Sequence, residues 1–200
     1  MDIKESNKNY FVHESSFVDE GANIGEGTKI WHFSHIMSGA KIGKNCSLGQ
    51  NVVVSAKAVI GNGVKIQNNV SIYDEVIIED EVFCGPSSVF TNVIIPRSFI
   101  VRKSEYKRTL VKKGATIGAN STIVCGKIIG EYAFIGAGSV ITKDIKPYAL
   151  IVGNPGRQIG WVCKCGLTLK FENNSTNCIC GNKYEIDKEG QLIIKLEKDK

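Results

Sequence analysis

The chain has 200 residues, 42% of them hydrophobic, and a formal net charge of +5. That length suits one main domain with a small appendage. No apolar run reaches the roughly 18 residues that cross a bilayer, so no membrane partner is expected. The mild positive charge is gathered in one stretch and does not mark a nucleic-acid binder.

Met1 to Tyr10 is polar and charged, without the apolar centre of a signal peptide. The expectation is a cytoplasmic protein. Residues 1–16 read as a lead-in to the folded repeat, with His13 and Glu14 as a surface pair.

From Val18 the chain is periodic. Every sixth residue is aliphatic through Val18, Ile24, Ile30 and Ile36 to Ile78, eleven in a row, and Cys84 extends the column. Four residues after each stands a small or β-branched side chain, from Ala22, Thr28 and Ser34 to Val82. Gly follows the aliphatic at Gly25, Gly43, Gly49, Gly61 and Gly85, read as tolerance of the corner's dihedrals. A period of six fits neither an α-helix nor a flat alternating strand. It predicts an all-β parallel β-helix, in which three hexapeptides close a triangular coil of about 18 residues. Residues 18–89 then give four coils.

Coils stack about 4.8 Å apart, so residues one coil apart share a column. His32, Gln50 and Asn68 form one column, and Phe33, Asn51, Asn69 and Ser87 the next. Ser38, Ala56, Asp74 and Asn92 form a third. Such polar columns are either hydrogen-bonded ladders or the lining of a cleft, and spacing alone does not choose.

The register breaks after Phe90, and hexapeptides resume at Val111. Thr91 to Leu110, about residues 91–110, therefore leaves the solenoid as a loop. It carries Arg97, Arg102, Lys103, Lys107 and Arg108 against Glu105. A long loop on a rigid scaffold is more often functional than ornamental, and clustered Arg and Lys suit phosphate or carboxylate. The second repeat block carries Gly118, Gly130, Gly136 and Gly138, then Lys143 and a turn at 153–157 ending in Arg157.

The tail, residues 161–200, has two Cys-x-Cys-Gly hooks, Cys163-Lys-Cys165-Gly166 and Cys178-Ile-Cys180-Gly181. In a cytoplasmic chain this pattern reads as a four-thiolate zinc site. The usual hook spaces its cysteines by two residues rather than one, so free thiols or a redox role stay open. Alternation at Leu167–Phe171, Lys183–Ile186 and Leu192–Leu196 predicts a three-stranded ribbon that caps the solenoid's open end. Cys46, Cys84 and Cys125 lie inside the repeat as small apolar fillers.

Several runs carry a resemblance. Lys29-Ile-Trp-His-Phe-Ser-His-Ile-Met37, Lys65-Ile-Gln-Asn-Asn-Val-Ser71, Val82-Phe-Cys-Gly-Pro-Ser87, Val89-Phe-Thr-Asn-Val93 and Arg102-Lys-Ser-Glu-Tyr106 are prominent among them. Over roughly residues 10–161 the chain resembles the left-handed β-helix nucleotide-sugar N-acetyltransferases. The nearest resemblance is to those acetylating the 3-amino group of UDP-2-acetamido-3-amino-2,3-dideoxyglucuronate for a surface polysaccharide or glycan. Ile95 departs from the Asn that such relatives place before Pro-Arg.

The resemblance implies a left-handed solenoid domain over 1–160, a homotrimer with clefts between subunits, and acetyl-CoA as co-substrate. It places acetyl-CoA near Gly118, Gly136 and Ala137, with Lys143 and Arg157 by its phosphates. It makes Asn92 the residue that orients the amine. His32, Asn68, Asn69, Tyr73 and Glu79 become candidate contacts to the UDP-amino-sugar. Arg97, Arg102 and Lys103 become candidates for its diphosphate and carboxylate. His35, one residue before a core aliphatic, is an alternative base.

The same chemistry on a dTDP-3-amino-3,6-dideoxyhexose is the nearest rival. A γ-carbonic-anhydrase-like metal enzyme needs three converging histidines far apart in sequence, and of the chain's only three, His32 and His35 lie three residues apart. A solenoid scaffold would present a flat repetitive face, often rich in Thr, and no Thr ladder occurs.

Overall fold

A computed structural model describes residues 9–195. They form a left-handed parallel β-solenoid with a small Cys-rich antiparallel ribbon at the C-terminal end. Two-residue strands alternate with four-residue corners, because the hexapeptide allows one inward aliphatic and then a bend. Three faces result. The first runs through Phe11–Val12, Lys29–Ile30, Ser47–Leu48, Lys65–Ile66, Phe83–Cys84, Thr116–Ile117 and Phe134–Ile135 to Ala149–Val152. The second holds seven strands from Phe17–Val18 to Val140–Ile141, and the third six from Asn23–Ile24 to Ile128–Ile129.

The solenoid begins one hexapeptide earlier than the sequence reading placed it. Phe11–Val12 already pairs in parallel with Lys29–Ile30. Val12 lies six residues before Val18, so the column was present in the sequence and was started too late. His13 belongs to this first coil. It stacks on His32 at 3.5 Å between ring centroids and bonds Ser15 Oγ at 2.9 Å, rather than forming a surface pair with Glu14.

The aliphatic column fills the triangle. Ile30, Ile36, Leu48, Ile66, Ile72, Ile117 and Ile135 are fully buried in one continuous core. The small column does more than fill space. Thr28 Oγ1 donates to Gly43 O at 2.8 Å and accepts from Cys46 N at 3.0 Å. Ser34 Oγ makes the same pair of bonds with Gly49 O and Val52 N. These two buried hydroxyls thus stitch neighbouring coils while keeping their own hydrogen bonds satisfied, whereas Ser88 Oγ in the same column has no partner among the described residues.

The glycines after the aliphatics are explained differently from the expectation. Gly25, Gly43 and Gly61 do not adopt positive φ. A Cβ on Gly43 would lie 2.5 Å from the Gly61 carbonyl oxygen in the next coil, so close stacking excludes a side chain. The left-handed conformation falls two residues later, at Gly27, Asn45, Gly63 and Glu81 along one edge. On another edge it falls at Phe33, Asn51, Asn69, Ser87 and Asn120. Asn there tolerates the conformation with its short polar side chain.

The excursion leaves from the edge between the second and third faces. Phe83 pairs with Thr116, 33 residues on, where the preceding coils step by 18, so 15 extra residues are accommodated. Strand Thr109–Val111 resumes the third face beside Val76–Ile78, which shortens the loop to residues 91–108.

At the C-terminal end, strand Arg157–Val162 folds back antiparallel on Ala149–Val152. Gly156 sits over the last core residues, where a Cβ would come within 2.9 Å of Ile141 Cδ1 and Ile151 Cγ2. This hairpin, not the ribbon, closes the core. The boundary expected at 160/161 falls inside its second strand. Thr168–Leu169, expected in the ribbon, instead pairs with Trp161 and Val162, since Leu169 joins a second apolar cluster there. The ribbon's strands are Ser175–Asn177, Lys183–Ile186 and Leu192–Lys195. Leu196 lies outside the described residues.

Candidate functional site

The loop folds on itself into a recess of about 260 Å³, lined by Asn92, Pro96, Arg97, Arg102, Lys103 and Tyr106 among others. The neck is tied by Lys107 N donating to Asn92 O at 3.0 Å. Thr91 Oγ1 accepts from Cys125 N at 2.9 Å and Thr109 Oγ1 from Gly126 N at 3.2 Å, so both ends of the loop are anchored to the next coil. Asn92 is half-buried at this neck. Its carbonyl accepts the bond that ties the neck, while its side-chain amide has no hydrogen bond among the described residues.

The loop's cations are fewer than the sequence counted. Arg102 is held by Glu105, with one guanidinium nitrogen 2.8 Å from both carboxylate oxygens, and its Nε is buried without a partner. Arg108 lies 3.5 Å from Glu75, and Lys113, just beyond the loop, 3.7 Å from Glu81. Among the described residues, Arg97, Lys103 and Lys107 have no carboxylate at ion-pair distance, and of these Arg97 and Lys103 line the recess. The loop is also more apolar than its charges suggested. Ile94, Ile95, Phe99 and Val101 are exposed, Phe99 at 82% and Val101 at 84%.

The other expected site residues lie on different edges of the prism. His32 and Asn68 line a recess of about 300 Å³ with Trp31, Gln50 and Gln67, between the first and second faces. Asn68 Oδ1 accepts from Gln50 N at 2.9 Å, and Asn69 Oδ1 from Asn51 Nδ2 at 3.0 Å, so both serve as ladder rungs. Tyr73 stands half-exposed on the loop's edge, one coil before Thr91 and beside Asp74, which precedes Asn92 in its column. Glu79 is on the third edge, where Oε2 accepts from Lys113 N at 2.9 Å and fixes the chain as it re-enters the solenoid.

Gly118, Gly136 and Ala137 stack together. A Cβ on Gly118 would meet Ala137 N at 2.6 Å, so coil stacking alone requires glycine there. Lys143 and Arg157 are exposed near the C-terminal end. His35 pairs with Asp19, Nε2 to Oδ1 at 3.0 Å, beside a recess of about 450 Å³ that Phe17 and Phe33 also line. Both partners are about two-fifths exposed, so the pair contributes little stability.

Sequence reasoning missed the aromatic wall of Phe11, His13 and Trp31, with Phe11 and Trp31 rings 5.3 Å apart. The Val12 position in the column was the signal that would have placed it. It also missed Tyr106 in the loop recess and the Asp19 partner of His35.

The four tail cysteines converge, with their sulfurs all within 4.8 Å of one another. Burial pushes the Cys163 thiol up, but hydrogen bonds led by the Cys165 amide and the Tyr184 hydroxyl outweigh it and bring it down to about 6. Cys84, in the solenoid core, is pushed up to about 12 by burial.

Comparison with known proteins fits this architecture. The family model described as "Bacterial transferase hexapeptide (six repeats)" matches residues 21–56. "Hexapeptide repeat of succinyl-transferase" matches residues 39–74 and 112–143. The chain is 60% identical over 80 residues to a dTDP-3-amino-3,6-dideoxy-alpha-D-galactopyranose 3-N-acetyltransferase of Aneurinibacillus thermoaerophilus, covering 40% of this chain and 42% of that one. The chain thus spans under half the length of the curated relatives it matches. A hexapeptide transferase family protein from Anaplasma phagocytophilum superimposes with a TM-score of 0.53 at 20% identity, over 77% of this chain and 80% of that one. The acetyltransferase domain of PglB from Neisseria gonorrhoeae, solved with acetyl coenzyme A, gives 0.50 at 20% identity, over 76% and 58%. These two likenesses show the fold. Among the described residues, no helix is long and apolar enough to cross a membrane.

Proposed function

We propose that the protein transfers an acetyl group from acetyl-CoA to the amine of a nucleotide-linked amino sugar, with a dTDP-3-amino-3,6-dideoxyhexose as acceptor. The observation that carries this is the 60% identity over 80 residues to an enzyme named for that reaction. The loop supports the choice over a UDP-hexuronate. Of the three cations lining the loop recess, Glu105 already neutralises Arg102, which leaves Arg97 and Lys103 for the ligand. Two cations match a diphosphate without reserving one for a sugar carboxylate.

The chemistry is attack of a neutral amine on a thioester carbonyl. The amine nitrogen must be held about 3–3.5 Å from that carbon. Asn92 is proposed to hold it, through the amide that the fold leaves without a partner. The carbonyl oxygen gains charge as the C–N bond forms, and backbone N–H groups at solenoid corners serve as its donors. The C–S bond then breaks, and the departing CoA thiolate takes the proton lost from nitrogen. A strong base is therefore not required, although the His35–Asp19 pair would serve as one if it faced the acceptor.

The expected ligands' contacts lie on separate edges of one rigid prism, so a single copy cannot bring them to one small molecule. A homotrimer, with the apolar loop of one copy laid against the next, would do so. Exposed Ile94, Phe99 and Val101 fit such a contact.

The test is thiol release from acetyl-CoA with dTDP-3-amino-3,6-dideoxygalactose and UDP-2-acetamido-3-amino-2,3-dideoxyglucuronate offered side by side. Preference in kcat/KM for the dTDP sugar is expected. Preference for the UDP-hexuronate would return the loop to carboxylate recognition. No release with either would remove the acetyltransferase reading.

A further inference from the structure

Acetyl transfer gives the four C-terminal cysteines no part, yet the fold brings them together with care. We propose that Cys163, Cys165, Cys178 and Cys180 bind one Zn²⁺ as a closed tetrathiolate site that fastens the ribbon to the end of the solenoid.

Geometry carries the argument first. Cys163 Sγ lies 3.3 Å from Cys180 Sγ, and Cys165 Sγ 3.6 Å from Cys178 Sγ. These gaps exceed the roughly 2.05 Å of a disulfide. They are close to the edge of about 3.8 Å that follows for a tetrahedron with Zn–S near 2.3 Å. All four sulfurs fit within 4.8 Å, so an ion at their centre reaches each with small side-chain adjustments.

The backbone repeats itself around the two pairs. Cys163 N donates to Leu167 O at 2.8 Å, and Gly166 N to Cys163 O at 2.8 Å. Cys178 N donates to Asn182 O at 2.9 Å, and Gly181 N to Cys178 O at 2.9 Å. Gly166 and Gly181 both take positive φ, at +92° and +95°, with open space where a Cβ would be. Two hooks fifteen residues apart have therefore been built to the same plan, which packing of the ribbon alone does not require.

The surroundings suit bound thiolates. Tyr184 is buried at 1% exposure, its hydroxyl donating to Cys163 Sγ at 3.1 Å and accepting from Lys164 N at 2.9 Å. Asn182 Nδ2 donates to Cys180 Sγ at 3.3 Å, and Cys165 N to Cys163 Sγ at 3.4 Å. Four thiolates around a dication leave excess negative charge, and such outer hydrogen bonds disperse it while fixing the ligands. Four cysteines from one chain leave no open coordination position, so the site is structural rather than catalytic.

The ribbon also needs a fastener. Its apolar support is thin: Tyr148, Leu169 and Tyr184, with half-buried Trp161, Phe171 and Ile194 beside them. Three short strands over so little core are marginal without a staple. Through Tyr184 the site touches the solenoid. That ring meets Tyr148 edge-on at 6.1 Å, and Tyr148 stacks on Tyr132 at 5.2 Å.

The experiment measures metal and thiols on the full chain, purified without chelator. Elemental analysis is expected to give one zinc per chain. A mercurial titration should release that zinc as the tail thiols react, with the ribbon then cut by trypsin at Lys164, Lys170 or Lys183 while the solenoid resists. Cobalt reconstitution should give the intense visible bands of a tetrahedral thiolate site. Cys165→Ser with Cys180→Ser, which alters the two exposed cysteines, should abolish stoichiometric zinc. Should that variant fold poorly, the titration of the unaltered chain decides. A native chain that takes up neither zinc nor cobalt would overturn the proposal. So would Cys163–Cys180 and Cys165–Cys178 disulfides found by mass spectrometry, or iron in place of zinc.

Discussion

The solenoid and the tail use cysteine in opposite ways. In the coils, Cys46 occupies the small column and Cys84 the aliphatic column, while Cys125 is buried at the corner after Ile123, where its amide anchors Thr91; all three are buried. Their neighbours supply the stability, and sulfur is only volume. In the tail, Cys163, Cys165, Cys178 and Cys180 converge, two of them exposed, over a cluster too small to hold three strands alone. The difference teaches that position within the repeat, rather than residue type, assigns the role. A lone cysteine within the repeat is packing, and a Cys-x-Cys pair followed directly by glycine beyond the repeat is a ligand candidate.

The comparison breaks most severely if the core column is cut. Ile66→Ala removes a fully buried side chain from the middle of the stack, and about 2–5 kcal/mol of stability should be lost. Urea melts read this directly. Loss confined to less than 1 kcal/mol would mean that coils collapse around the gap and the column is not the source of rigidity.

Asn92→Ala separates the scaffold from the chemistry it carries. Mispositioning of a reacting group costs about 10²-fold, so kcat should fall roughly that much with the melting curve unchanged. Unchanged turnover would take Asn92 out of the mechanism.

Two glycine variants sharpen the account of the corners. Gly43→Ala forces a methyl against the Gly61 carbonyl and should cost about 1–3 kcal/mol. Gly63→Ala meets only Glu81 Cγ at 3.8 Å but sits at φ +65°, so strain alone should cost about 1 kcal/mol. Equal melts for the two would show that stacking distance does not govern the first class. Smallest of all, Glu105→Gln removes a partly exposed ion pair, and the change should stay within about 1 kcal/mol. Its sharper effect would be on acceptor choice, since it frees Arg102 and should improve binding of an acidic sugar, read as a lower KM for the UDP-hexuronate.

Much of the fold was legible because the hexapeptide is a strict rule. The aliphatic and small columns each land where the sequence put them, and the break after Phe90 correctly marked an excursion. The rule also concealed things. Val12 was overlooked because it stands ahead of the unbroken column that begins at Val18, and with it the His13–His32 stack. Glycines of two kinds look alike in sequence, although one set avoids a neighbouring coil and the other bends the chain. Thr168–Leu169 shows the alternation of a ribbon strand but is captured by Trp161 and Val162, a tertiary preference that no local pattern states. The loop's charge was legible, but its pairing was not. Arg102 meets Glu105 through the short helical turn at Lys103–Glu105, and Arg108 reaches back to Glu75 on the preceding coil.

The most direct measurement follows the acetyl group itself. Acetyl-CoA labelled with carbon-13 in its acetyl group is incubated with the full chain and dTDP-3-amino-3,6-dideoxygalactose, and the nucleotide sugar is analysed by mass and by amide proton correlation. The account predicts one labelled acetyl on the sugar nitrogen for each CoA released. Label recovered only as free acetate, or left in the thioester, would contradict it.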